Sequence, residues 1–265
     1  VKFHLYCKSY RGDLERVKVL AESVYKFNVD LIPFIVSVPK EDVKLFKHAL
    51  GGNASIHEDE AIFHDPTMRG WVSQQVTKAL YWKYSGCDAY LLLDSDCYFI
   101  RHFRVSDFIH PSGVPYTVMH EQKDMFGWTC NKASVLGFDP QKSFAECRVK
   151  IMETFGREGR LYDFGPVPVI WSAAVWQSLE NNYLSPNDLT LAQVIKEVPS
   201  EFTWYGEFLL VDKTIPIWPV EPLFKVFHYK PQYEEAKKSG YTEADLAKVY
   251  SGIVMQSNWG APFRY

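Results

Sequence analysis

Two aspartates stand one residue apart at the end of an apolar run, Tyr90-Leu91-Leu92-Leu93-Asp94-Ser95-Asp96-Cys97-Tyr98-Phe99. On an extended backbone, side chains at i and i+2 point the same way, so Asp94 and Asp96 can converge on one hard cation. Mn2+ and Mg2+ favour oxygen donors and commonly bridge protein carboxylates to substrate phosphates. Beside a nucleotide sugar, such a cation would neutralise the charge that builds on a departing diphosphate. Taken alone, the pair reads equally as a strand and turn with either aspartate capping locally. Its setting favours the metal: a helix precedes, the strand is apolar, and the hydrophobic pattern resumes at Tyr98-Phe99-Ile100.

The elements that must position this pair alternate between strand and helix. A strand over Lys2 to Cys7 leads through Ser9-Tyr10-Arg11-Gly12-Asp13 into a helix with Leu14, Val17, Ala21 and Val24 at helical spacing and Asp13 as a plausible N-cap. A second strand over Leu31 to Val38 precedes a helix from about Lys40 to Leu50, closed by Gly51-Gly52. A short strand surrounds Ile56, and a helix from Trp71 to Tyr84 feeds the strand Tyr90 to Leu93. This order predicts an α/β fold with a mostly parallel central sheet covered on both faces. In such sheets ligands sit beyond the carboxyl ends of the strands, where the acidic pair lies.

The second half is irregular. It carries a strand at Tyr116 to His120, helices around Ser143 to Phe155, Ala173 to Glu180 and Thr190 to Val198, and the loop Gly165-Pro166-Val167-Pro168. A Pro- and aromatic-rich stretch, Ile215 to Tyr233, precedes a last helix from Thr242 to about Ser251. Such a half suits a variable pocket better than a repeated scaffold. We expect one domain over 1–265, with a nucleotide-binding half over 1–110 and an acceptor-binding half over 111–265.

Composition narrows the classes. The 265 residues are 47% hydrophobic and 23% charged, with a formal charge of -3, so a general polyanion-binding signal is absent and we expect no nucleic-acid partner. No apolar run reaches the roughly 18 to 20 residues that span a bilayer, and no signal-peptide pattern opens the chain. The expected location is cytoplasmic, with peripheral association at the inner membrane face left open. The sequence begins at Val1, which fits excision from something longer, and an attached domain or anchor stays open. Cys7, Cys87, Cys97, Cys130 and Cys147 are scattered with no CxxC pair, which reads as reduced, mostly core thiols. Aromatic residues make up 16% of the chain; their faces suit sugar rings and equally suit a packed core.

The order of elements and the Asp94-Ser95-Asp96 motif resemble GT-A-type glycosyltransferases, α/β enzymes that use nucleotide sugars. Three local patterns, Gly70-Trp71-x-x-Gln74-Gln75-x-x-Lys78, Leu92-Leu93-Asp94-Ser95-Asp96 and Gly206-Glu207-Phe208, resemble bacterial GT-A-like proteins associated with surface polysaccharides. The resemblance implies glycosyl transfer from a nucleotide diphosphate sugar, UDP favoured, to a glycan or glycolipid acceptor, with Mn2+ or Mg2+ as cofactor.

On that resemblance Asp96 is the main metal ligand, Asp94 reaches the metal or the ribose, and His228 completes the metal shell. His228 flanked by aromatics also reads as a packed, hydrogen-bonded residue. Lys230 would approach the diphosphate as a point charge, or stand solvated. Ser9, Tyr10, Arg11 and Asp13 follow the strand that ends at the nucleotide. Two adjacent glutamines cannot share a helix face, so Gln75, three residues from Lys78, is preferred over Gln74. An inverting transferase also needs a general base. Glu207, beside Trp204 and Tyr205, is the first candidate, and burial there would raise its pKa; a hydrogen-bonded structural glutamate is the alternative. Asp163 is the second candidate, or it fixes its loop.

Two rivals remain. A phosphatase or phosphotransferase of the haloacid-dehalogenase type also uses a strand-end Asp-x-Asp, but normally on its first strand. A non-catalytic carbohydrate-binding module would use the pair to hold a structural cation, although calcium sites usually gather more carboxylates from one loop. A nucleotidyltransferase would need a glycine-rich basic loop after the first strand, and Ser9 to Asp13 offers one Gly and one Arg.

Overall fold

A computed structural model describes residues 1–68, 70–130, 132 and 136–265, with the backbone alone of Cys147. Strands β1 (Phe3–Lys8), β2 (Phe34–Val38), β3 (Ser55–Glu58) and β4 (Ala89–Leu93) are linked by helices α1 (Leu14–Phe27), α2 (Val43–Leu50), α3 (Asp59–Ile62) and α4 (Gly70–Ser85). After β5 (Cys97–Phe99) and β6 (Thr117–Val118) come α5 (Lys123–Thr129), α6 (Pro140–Thr154), β7 (Val169–Ser172), α7 (Ala173–Leu179), α8 (Leu191–Glu197) and α9 (Glu201–Asp212). The chain ends with β8 (Pro219–Val220), β9 (Phe224–Phe227), α10 (Lys230–Lys238), α11 (Glu243–Leu246) and β10 (Gly252–Met255).

The central sheet has the order β3-β2-β1-β4-β7, parallel except for β7, which runs antiparallel to β4. The expected α/β fold with a mostly parallel, helix-flanked sheet is therefore present. Alternation along each strand explains both covered faces. Leu5, Cys7, Val36, Leu91 and Leu93 pack with Val17 and Leu20 of α1 and Phe46 of α2. Tyr6, Ile35, Tyr90 and Leu92 turn the other way, onto Val76, Ala79 and Tyr81 of α4 and Trp171 and Trp176. Tyr6 and Tyr81 stack with centroids 3.7 Å apart, so much of the aromatic content is core.

The second half completes the central sheet and two smaller ones, the smallest pairing β6 with β8. β7 forms an edge of the central sheet, and β9 and β10 join β5 in a second sheet of order β5-β10-β9. Its inner face, Cys97, Val254 and Val226, belongs to the α1-side core. Its outer face carries Tyr98, Ile253, Met255 and Phe227.

Several expected boundaries shift. The last helix covers only Glu243–Leu246, and the residues after it form β10. The stretch from Ile215 to Tyr233 holds two strands and the start of α10, whose Pro231 near the first turn fits helix entry. α9 is a 12-residue helix over residues to which the sequence assigned no element; Thr203 to Leu209 are all buried. Such a helix is apolar nearly all round and shows no amphipathic period. Cys7, Cys87 and Cys97 are buried free thiols, whereas Cys130 is exposed; the side chain of Cys147 lies outside the described residues.

Candidate functional site

Strand order reverses between β1 and β4, so the loops leaving these two strands face a common crevice at the carboxyl edge. β1 delivers Ser9, and β4 delivers Asp94-Ser95-Asp96. The Ser95 hydroxyl donates to Ser9 Oγ at 3.0 Å, with both serines buried, which ties the two strand ends together. Asp13 flanks α1 but makes no side-chain cap. It lies beside Ser95 instead, where burial raises its pKa against the pull of Arg16 and Ser95. The sequence alternative of a capping Asp13 thus gives way to an aspartate turned to the crevice.

α4 covers the adjoining corner. Gln75 and Lys78, three residues apart, both point inward and are buried. Lys78 Nζ lies 2.5 Å from Asp94 Oδ1, with the lysine side chain 7% and the aspartate 32% exposed. Burial works to lower the Lys78 pKa, but Asp94 and Glu201 push it up to about 12. The Glu201 N–H donates to Gln75 Oε1 at 3.3 Å, which docks the first turn of α9 on α4. Burial pushes the Glu201 carboxyl up to about 7 against the attraction of Lys78. Glu201 is the site residue that the sequence reading passed over. Ser200 before it has an N-cap residue type, a signal that marks a helix start but not a charge partner for Lys78.

Asp96 is oriented from the small sheet. Its Oδ2 accepts the Ser257 N–H at 2.8 Å, and its carbonyl accepts the Met255 N–H at 2.8 Å. Burial, and then the charge of Asp94, push its pKa up to about 6. Asp94 Oδ2 and Asp96 Oδ1 accept no hydrogen bond among the described residues. Two hard oxygen donors in a crevice where carboxylates repel one another fit Mn2+ or Mg2+, which keep waters and substrate oxygens in their remaining positions. Asp94 and Asp96 would hold the ion. Among the described residues no group of three or more His, Cys, Asp or Glu side chains is placed to share one cation.

The expected third ligand, His228, has other neighbours. Strand register puts it just past Phe227, opposite Met255 of β10, at the same end of the small sheet as Asp96. Its pKa is lowered to about 4 by burial, with Asp163, Lys225 and His120 as the charged groups around it. It lines a cleft of about 640 Å³ in the second half together with His120, Gln122, Tyr162, Lys225 and Tyr250. Asp94 and Asp96 do not line that cleft.

The remaining expected residues separate. Arg11 donates through its backbone N–H and its Nε to the buried Asp42, at 2.8 and 2.6 Å. Tyr10 is half exposed, its ring over Gly12. Lys230 is solvated at the start of α10, 3.7 Å from Glu234. Glu207 is fully buried and gripped through both carboxylate oxygens by Arg157. Asp163 is buried among Arg148, Gln122 and His120. Burial works to raise its pKa, but the Arg148 charge and the Gln122 and Arg148 hydrogen bonds hold it below the ordinary carboxylate range. Both expected bases are therefore buried carboxylates paired with arginines. The aromatic setting that suggested a sugar site at Glu207 is core, and Gly206 admits the Phe164 ring where a Cβ would sit.

Residues 3–185 match a family described as a family of unknown function, DUF6492. The chain belongs to DUF6492. The matched span runs through β7 of the central sheet and contains Ser9, Asp13, Gln75, Lys78, Asp94, Asp96 and Asp163; Glu201, Glu207 and His228 lie beyond it. No curated protein matches the chain. Among the described residues no helix is long and apolar enough to cross a membrane.

Proposed function

We propose that this DUF6492 chain is a metal-dependent, GT-A-like glycosyltransferase that moves a sugar from a nucleotide diphosphate sugar, UDP favoured, to a glycan or glycolipid acceptor in cell-surface polysaccharide synthesis. The observation that carries the reading is the Asp94-Ser95-Asp96 turn at the end of β4, joined through Ser95 and Ser9 to the end of β1 where the strand order reverses. A bound Mn2+ or Mg2+ supplies Lewis-acid neutralisation of the departing diphosphate.

The chain's own residues take the other roles. Asp94 and Asp96 hold the cation. Ser9 and Asp13, at the end of β1, contact the nucleoside, and Lys78 stands ready for phosphate charge. The cleft bearing His228, Tyr162 and Tyr250 receives the acceptor, because His228 on its lining lies at the same end of the small sheet as Asp96 and the cleft combines ring faces with polar edges. Glu207 and Asp163 act as scaffold. The haloacid-dehalogenase alternative is disfavoured by the position of the aspartate pair on the fourth strand.

Calorimetric titration with UDP, GDP and CMP, each with and without Mn2+, tests the proposal. Metal-dependent binding of one nucleotide is expected. Glycan binding that ignores nucleotide and metal would favour the non-catalytic carbohydrate-binding module instead.

A further inference from the structure

The Lys78 side chain is almost fully buried, and a buried ammonium needs a carboxylate partner. In this structure that partner is Asp94, one of the two residues assigned above to the cation. A dication arriving at Asp94 would stand within a few ångströms of the Lys78 charge, in surroundings where Coulomb repulsion is weakly screened. Lys78 cannot relax by swinging into bulk water without leaving the inward face of α4.

A second carboxylate waits on that face. Glu201 is 3% exposed and forms no ion pair within 4.0 Å among the described residues. Its backbone is fixed against Gln75, the i−3 neighbour of Lys78 on α4. The amide Nε2 of Gln75 is itself buried without a hydrogen-bond partner, so this corner holds unspent donor capacity beside an unpaired acid. Burial without a counter-ion disfavours the charged form of Glu201, and a cation that reached it in another state of the site would restore that form.

We propose that Glu201 is a positioning residue that receives the Lys78 ammonium when a divalent cation takes Asp94, so that one buried lysine exchanges counter-charges between two carboxylates. The inference rests on the cation reading of Asp94 and Asp96. In the metal-free site Lys78 stands in for the ion and keeps the carboxylates from repelling one another. In the loaded site the Lys78–Glu201 pair keeps the lysine near the phosphates without blocking Asp94.

Mn2+ affinity of the full chain, read from the electron paramagnetic resonance of free Mn2+ without nucleotide, tests the exchange. Lys78→Met should tighten Mn2+ binding several-fold by removing the competing ammonium. Glu201→Gln should weaken it about tenfold, and should have no further effect once Lys78 is Met. Glu201→Asp keeps the charge but shortens the reach, so it should weaken binding as Gln does; this variant decides the matter if Lys78→Met does not fold. Equal weakening by Glu201→Gln in both backgrounds, or wild-type affinity in Glu201→Asp, overturns the exchange while leaving the metal reading intact. A wild-type chain that binds no Mn2+ overturns both.

Discussion

Arg157 holds Glu207 from two directions, with Nη2 2.7 Å from Oε1 and Nε on Oε2, and the glutamate is fully buried. This planar pairing is the geometry in which arginine binds carboxylate most strongly, and it joins α9 to the turn that follows α6. Removing one member leaves the other charge buried, a loss of about 3–5 kcal/mol. Glu207→Gln is therefore expected to lower the thermal midpoint by roughly 6–20 °C, with the pH profile of any transfer activity unchanged. A folded variant of normal stability with a selectively lost acidic limb would return Glu207 to the role of base.

Asp163 and Arg148 form the second such pair, and here the effect depends on pH. The folded-state pKa of Asp163 lies below its ordinary value, so its stabilisation is fully present above the unfolded value of about 3.9 and is lost as pH falls through the folded one. Asp163→Asn should destabilise the protein by about 3 kcal/mol at pH 7. The gap between variant and wild type should narrow progressively as pH falls below that unfolded value. Denaturant melts at stepped pH read this directly, and a gap that stayed constant from pH 7 to pH 3 would contradict it.

At Gly206 the close approach is steric. The Phe164 ring occupies the space a Cβ would need, so the loop carrying Asp163 can lie on α9 only because residue 206 is glycine. Gly206→Ala is expected to cost about 1–3 kcal/mol and to loosen the Asp163 loop. Hydrogen exchange at Asp163 and Gly165 should rise in the variant, and unaltered protection there would show that the ring yields instead.

The first half was legible in the sequence because β2 and β4, covered on both faces, read as near-continuous apolar runs while α1 and α2 show clear helical periods. The same logic made the Asp94–Asp96 pair and the inward face of Gln75 and Lys78 readable, since both depend only on local spacing. The period failed at α9, which is buried all round, and at β10, whose four residues followed a true but shorter helix. Counter-charges were invisible for another reason: Arg157 for Glu207, Arg148 for Asp163 and Asp94 for Lys78 are brought together by tertiary packing alone. The aromatic neighbours of Glu207 suggested a sugar platform, but Trp204 and Tyr205 are core residues.

The metal-assisted nucleotide site is the central claim, and calorimetric titration of wild type and Asp96→Asn with UDP, GDP and CMP, with and without Mn2+, tests it most directly. The account predicts that wild type binds one of the three nucleotides at least tenfold more tightly with Mn2+, and that Asp96→Asn, folded as wild type, loses this metal-dependent gain. Nucleotide binding indifferent to Mn2+ and to residue 96, or no binding by a well-folded wild type, would contradict it.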